Sequence, residues 1–565
     1  MYTARARETL VAALLFTATR AHAQSATAGI PVAATHLAAE TQASVTADGS
    51  GGAYVGFKIA WRSASLPAEI AVARVTASGG PNPDWTALPM LPAGSMPQNA
   101  PPGASRVLRG PGGNVLVFAD FSSTSAPKDI VRELGASGAA PGYPGFQATY
   151  DYNAFGAVSR SDGGVLILSK ALGSINLLAT VVTAAGAGTE VFTPLDLSNG
   201  VTAVVGGEQL VAVPSGVDGG IAVFLLPFVG GATGVDIVTV RVDGAGQPVW
   251  VPPFRVITSA TFDQRDQVAV SDGADGAVIA WTDNRASTAP DIYAGRLLAN
   301  GTVAPGWVSG GKAICSRTAN QFLPAIASDD AGGAWFAWQD DRSADSTGVD
   351  LYFTHVLANG TFAPGIVANG RALCSAAGDQ TKVKLVRDGS GGVFAVWLDT
   401  RNGGVDLYAQ HLNSSGNPTA GWAAAGNAVC TNSAGKAQPA LGLVSTGRAI
   451  VAWNDARTGT DIVYAAALDV AHGVLEVPRP ATARLVLAPG ANPAHGALEL
   501  RLDATGSGDV RVTLYDVAGR VQAERTLSGP VRAAGLHFGG LRPGLYLVRA
   551  SQGGAIANTR IAVLE

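Results

Sequence analysis

Trp281-Thr282-Asp283-Asn284-Arg285 recurs as Trp338-Gln339-Asp340-Asp341-Arg342, as Trp397-Leu398-Asp399-Thr400-Arg401 and as Trp453-Asn454-Asp455-Ala456-Arg457. Behind each follows an acidic, apolar and aromatic run: Asp291-Ile292-Tyr293, Asp350-Leu351-Tyr352, Asp406-Leu407-Tyr408 and Asp461-Ile462-Val463-Tyr464. The tryptophans lie 57, 59 and 56 residues apart, the spacing of a repeat architecture. A Gly-bearing turn before each copy carries the register into a less regular half, at Gly52, Gly113, Gly164, Gly220, Gly276, Gly333, Gly392 and Gly447. Eight copies are counted between about residues 28 and 475, with seven the alternative if one early copy is misread.

Inside a copy the hydrophobic period is two and the boundaries are Gly, Asp, Asn and Pro clusters, so the elements are strands. The copy around Trp338 is read as four strands: Leu323–Ser328, Ala334–Gln339, Val349–Leu357 and Ile366–Cys374. Four short antiparallel strands per unit, many times over, predict an all-β, eight-bladed β-propeller, in which stacked neighbours bury what one sheet cannot. The last copy stops after its third strand, near Leu468, while Gly29–Ala34 sits at the register of a fourth strand. That segment is therefore expected to complete the last sheet and remove an open edge. Cys315, Cys374 and Cys430 occupy equivalent places in successive copies and are expected to be small buried side chains, too far apart to bridge. Trp250, Trp307 and Trp422, with Trp85 as an early counterpart, are expected to pack between copies.

The chain has 565 residues, 14% of them charged, 47% hydrophobic, and a formal net charge of −4. Such a balance excludes charge-driven disorder and gives no electrostatic footprint for nucleic acid. Arg5 and Arg7 precede the apolar run Leu10–Ala18, and Ala21-His22-Ala23 precedes Gln24, the layout of a signal peptide over residues 1–23. No later segment reads as a transmembrane span, so an exported protein, secreted or held at the outer cell surface, is expected. Residues 24–475 are assigned to the propeller, 476–489 to a linker and 490–565 to a separate C-terminal β-sandwich.

The Asp-x-Arg turn followed by Asp-Ile-Tyr or Asp-Leu-Tyr resembles the propeller repeats of the TolB-like, WD40-like family, over Gly276–Tyr464 above all. The last 80 residues carry Asn492-Pro493, the hairpin Tyr515-Asp516-Val517-Ala518-Gly519-Arg520, and Leu541-Arg542-Pro543-Gly544-Leu545-Tyr546. They are similar to the C-terminal sorting domain of type IX secretion cargo and to the FlgD-like immunoglobulin-type domain. That resemblance implies an immunoglobulin-like fold, contact with secretion machinery and surface attachment.

Residues that carry chemistry are few. The pairs Asp283/Arg285, Asp340/Arg342, Asp399/Arg401 and Asp455/Arg457 read as a clamp on each hairpin, of about 0–1 kcal/mol if exposed. A ring of the same carboxylates, Asp283, Asp340, Asp399 and Asp455, is the alternative, as a Ca²⁺ or sugar site. No catalytic residue and no cofactor are assigned, because a device that repeats is structural whereas a catalytic site is asymmetric. His355 and His411 hold equivalent positions and are read as solvated. Ser328-Asp329-Asp330-Ala331-Gly332-Gly333-Ala334-Trp335 alone approximates the Asp-box of sialidase-type propellers. The expected function is non-enzymatic binding or scaffolding, with carbohydrate or a surface protein as partner. Ligands are expected on the face of the Asp283, Asp340, Asp399 and Asp455 turns and of loops such as Ser316–Gln321. The competing expectation is a polysaccharide hydrolase or lyase.

Overall fold

A computed structural model describes residues 30–32, 38–61, 69–82, 106–109, 115–119, 130–134, 146–147, 152–171, 177–183, 188–193, 210–227, 234–286, 289–344, 346–457, 461–475, 485–489, 492–495, 497–504, 509–517, 520–528, 531–552 and 555–564. The segment read as a signal peptide and Trp85 lie outside them. Every element among the described residues is a strand, and no helix there is long and apolar enough to cross a membrane. The chain divides into two compact units, Met1–Val477 and Pro478–Glu565.

The first unit is a succession of small antiparallel sheets, eight among the described residues, each a meander of consecutive strands. We number them by span: sheet 1, residues 38–75; sheet 2, 106–147; sheet 3, 152–193; sheet 4, 211–258; sheet 5, 264–315; sheet 6, 321–374; sheet 7, 380–430; and sheet 8, 436–474. In sheet 6 the strands are Gln321–Ser328, Ala334–Asp340, Asp350–Val356 and Arg371–Cys374, close to the sequence reading but with a shorter fourth strand. The second strands are buried along their whole length in sheets 5, 6 and 7. Their apolar runs, such as Ala334-Trp335-Phe336-Ala337-Trp338, face neighbouring sheets on both sides, which suits a central strand.

First strands of successive sheets touch one another in order, and the first strand of sheet 8 touches that of sheet 1. They therefore surround a common axis, a propeller-like arrangement. Ile30–Pro31 pairs antiparallel with the third strand of sheet 8, Ile30 opposite Ala465 and Pro31 opposite Tyr464. Val32 extends the pairing by donating its N–H to Val463 O at 2.9 Å, so a segment from the start of the chain finishes its last sheet. One core joins sheet 8 to sheet 1 through Ile450, Ala452 and Val463 against Val55, Phe57 and Ala73.

The recurring glycine follows from close backbone approach. A Cβ on Gly52, Gly164, Gly276, Gly333 or Gly392 would stand 2.1–2.5 Å from a third-strand carbonyl oxygen, closer than atoms can lie. Pairing registers correct two of the eight assigned places, and Gly113 lies outside the described residues. Gly219 rather than Gly220 holds this position in sheet 4, and Arg448 rather than Gly447 in sheet 8.

In the second unit, one sheet holds Leu485–Pro489, Ala497–Ala504 and Val531–Gly539. The other holds Ala494–His495, Ala555–Leu564, Gly544–Gln552, Val510–Asp516 and Val521–Leu527. Leu498, Leu500, Leu502 and Phe538 from the first sheet share one core with Val512, Leu514, Val548 and Ile561 from the second. The stretch assigned as linker, 476–489, needs correcting. Leu485–Pro489 is a strand of this unit, paired with Ala497–Ala504, and the unit boundary falls at Val477/Pro478.

Candidate functional site

Four aspartates at the ends of second strands anchor the repeated clamps, and each is completely buried. Asp340 accepts from Trp338 Nε1 at 2.9 Å, from the Arg342 backbone N–H at 3.0 Å, and from Arg342 Nε and Nη2 at 2.8 and 2.5 Å. Asp283 and Asp399 repeat this set with Trp281 and Arg285, and with Trp397 and Arg401. Each arginine lies over the ring of its third-strand tyrosine: Arg285 on Tyr293, Arg342 on Tyr352, Arg401 on Tyr408 and Arg457 on Tyr464, at 3.7–4.0 Å. In sheet 8 the pair is looser, since Arg457 Nε and Nη1 find no partner. The small value expected for an exposed pair is therefore corrected: these are buried ion pairs, and loss of one member exposes the cost of desolvating the other.

The cysteines complete the clamps. Cys315, Cys374 and Cys430 are free and buried, and each sulfur accepts from the neighbouring arginine Nη2 at 2.9–3.1 Å. Burial pushes the Cys315 and Cys430 thiols up to about 11, which leaves them without thiolate character. The four aspartates sit in four different sheets, and their oxygens are occupied by arginine, indole and backbone donors. Among the described residues no group of three or more His, Cys, Asp or Glu side chains is placed to hold a metal ion.

A second device sits in the turns between first and second strands. Asp48, Asp272, Asp329 and Asp388 each accept backbone N–H groups two and four residues on. Each also accepts from a third-strand cation or imidazole: Arg74, Arg296, His355 and His411 respectively. His355 and His411 are thus buried and paired, not solvated as expected from their periodicity. Burial alone would raise Asp388, yet the His411 hydrogen bond and the Ser390 and Gly392 N–H groups more than offset it and hold it at about 2. Bonds between sheets fasten the same region. Trp250 Nε1 and Arg241 Nη1 both donate to Ala299 O, Trp307 Nε1 and Arg296 Nη1 to Ala358 O, and Trp422 Nε1 to Asp469 O. The three tryptophans are consumed as latches between sheets.

Carboxylates also face one another across three of the four clamp hairpins. Asp283 pairs in register with Asp291, Asp340 with Asp350, and Asp399 with Asp406. Burial first, and the Asp283 charge second, push Asp291 up to about 6. Lys436 answers Asp406 from the next sheet, its Nζ at 3.4 Å and also donating to Asn432 O and Ala434 O.

What does not repeat is found on the axis. The first strands of sheets 5, 6, 7 and 8 each carry a β-bulge, and its third residue is left-handed without being glycine: Asp266 (φ 54°), Leu323 (51°), Lys382 (53°) and Gln438 (49°). Such a φ is strained for any of these, and most of all for leucine. The preceding sheet supports two of them: Thr282 Oγ1 accepts the Leu323 N–H at 3.2 Å, and Gln339 Oε1 the Lys382 N–H at 2.7 Å. Leu323, Lys382 and Gln438 are exposed. The bulges stand at the end of the sheets that bears the clamp hairpins, so four different side chains gather at one mouth of the axis. Sequence reading missed them, because the four share a place but no residue type.

Lys384, two residues past Lys382 on the innermost strand of sheet 7, is exposed as well. Desolvation, and then the Lys382 charge, pull its pKa below the ordinary lysine value.

No family model matches this chain, and no curated protein matches it significantly. Among solved structures it is similar to a protein of unknown function from Dyadobacter fermentans, at 9% identity and a TM-score of 0.35, over 78% of this chain and 97% of that one. It is similar to the polysaccharide lyase Uly1, at 8% identity and a TM-score of 0.41, over 66% of this chain and 90% of that one. It is also similar to an α-L-arabinanase of Penicillium chrysogenum, at 12% identity and a TM-score of 0.31, over 57% of this chain and 95% of that one. At these identities and scores the likeness carries no argument about activity.

Proposed function

We propose that this chain is an exported eight-bladed β-propeller that binds a carbohydrate chain at the axial mouth, followed by an immunoglobulin-like module for surface attachment. The observation that carries the binding reading is the set of bulges. Four left-handed residues differ in chemistry, Asp266, Leu323, Lys382 and Gln438, on a framework that otherwise repeats. Strain held in place by the neighbouring sheet, at a point where side chains diverge, is the mark of a recognition surface. In this reading Asp283/Arg285, Asp340/Arg342, Asp399/Arg401 and Asp455/Arg457 serve as structural clamps, and calcium has no part.

A second reading, a polysaccharide hydrolase or lyase, takes as its base Lys384, a lysine of the innermost strand whose pKa lies below the ordinary value. Calorimetric titration with a panel of polysaccharides, together with chromatography for released oligosaccharides, separates the two. Binding without products is expected. Product release that Lys384→Met abolishes would establish the second reading, and no binding to any glycan would defeat both.

A further inference from the structure

Most cations set into the repeats have an acidic partner. Arg74 meets Asp48, Arg296 meets Asp272, Lys436 meets Asp406, and the four clamp arginines meet their aspartates. Lys382 and Lys384 are different. Among the described residues neither ammonium has an acidic partner, although the two stand two residues apart on one strand. Neither belongs to the repeating framework. The place of Lys384 is taken by Val268 in sheet 5, Ala325 in sheet 6 and Ala440 in sheet 8, and that of Lys382 by Asp266, Leu323 and Gln438. Asp266, the one acidic residue among these bulge places, already accepts from Thr282 Oγ1 at 2.9 Å and stands two sheets away. Two exposed ammonium groups without an acidic partner among the described residues thus stand on the innermost strand of one sheet, in a chain whose net charge is −4.

We propose that Lys382 and Lys384 form an anion-binding site, and that the ligand of the axial mouth is an acidic polysaccharide. This rests on the reading of that mouth as a carbohydrate site. Two like charges so close along one strand repel. An anionic group between them relieves that repulsion. The depressed pKa of Lys384 fits a site poised for that partner. Carboxylates of uronic acids and sulfate esters share the required chemistry. A nucleic acid backbone does too, and oligothymidylate in the titration separates it from a glycan.

The test is titration of the full chain with oligogalacturonate, its methyl ester, dextran sulfate, neutral dextran and oligothymidylate, with Lys382→Met, Lys384→Met and Lys384→Arg alongside. Oligogalacturonate or dextran sulfate should bind at least tenfold more tightly than its uncharged counterpart, and whichever binds names the anionic group. Each methionine variant should lose about tenfold, while Lys384→Arg, which keeps the charge and reports on folding, should retain binding. Equal affinity for the charged and uncharged forms would overturn the anion site and leave the carbohydrate reading standing. Equally tight oligothymidylate would overturn the polysaccharide assignment. If no glycan binds, the carbohydrate reading falls and this inference with it, even where inorganic sulfate shields Lys384 from acetylation.

Discussion

Replacing Asp340 by Asn keeps the shape of the sheet 6 clamp and removes its charge. Asp340 is fully buried and receives one hydrogen bond from Trp338 and three from Arg342, with Cys315 Sγ also directed at it at 4.0 Å. The Arg342 side chain is itself only 14% exposed, resting on Tyr352. With the carboxylate gone, a guanidinium stays desolvated without its counter-charge, and removing one partner of a buried pair costs about 3–5 kcal/mol. Asp516, paired with an Arg520 side chain that is 77% exposed, supplies the comparison; such surface pairs are worth about 0–1 kcal/mol. Urea unfolding followed by circular dichroism and tryptophan fluorescence reads both. Asp340→Asn should lower the midpoint strongly, Asp516→Asn hardly at all, and Asp340→Asn/Arg342→Met should cost clearly less than the two single changes added together. A cost for Asp340→Asn below about 1 kcal/mol, with no coupling to Arg342, would refute the reasoning.

Gly333→Ala places a methyl group 2.3 Å from Val356 O, so it should lower the unfolding midpoint far more than Gly310→Ala, where a positive φ of 78° is the cost and nothing lies within 4 Å. Asp388 falls from an ordinary 3.8 to about 2 in the folded chain, so its contribution of about 2 kcal/mol is present above pH 4 and lost as the pH drops toward 2. Asp388→Asn should therefore flatten the acid limb of the stability profile. Asp291 carries the opposite sign. Its pKa, raised from 3.8 to about 6, costs the folded state almost nothing below about pH 4, progressively more between pH 4 and 6, and the full amount above 6. Asp291→Asn should thus be stabilising at pH 8, keep about half of that advantage at pH 5 and lose most of it by about pH 3.5, as read by thermal unfolding at the three pH values.

Much of the fold was legible because its devices repeat. Trp338, Asp340, Arg342 and Tyr352 recur as a set, and the structure gives them one purpose in successive sheets: indole, carboxylate, guanidinium and phenol ring stacked at a hairpin. Fourth strands were harder to bound, since Arg371–Cys374 is four residues long and offers little alternation. The histidines were misjudged because His355 meets Asp329 from 26 residues upstream, a partnership periodicity cannot show. A usable signal was nonetheless present: an Asp stands four residues before each of Gly52, Gly276, Gly333 and Gly392. The axial mouth left no trace of that kind. Backbone strain at Asp266, Leu323, Lys382 and Gln438 comes from bulge geometry, which residues of four different chemistries adopt alike.

Closure of the sheets around their axis by the start of the chain is the central claim, and a cross-link tests it directly. Ile30 lies opposite Ala465, so Ile30→Cys/Ala465→Cys should oxidise to an intramolecular disulfide and raise the temperature of unfolding, while the buried thiols of Cys315, Cys374 and Cys430 stay reduced. Two freely alkylated thiols at positions 30 and 465, in a chain that unfolds as the unmodified protein does, would contradict it.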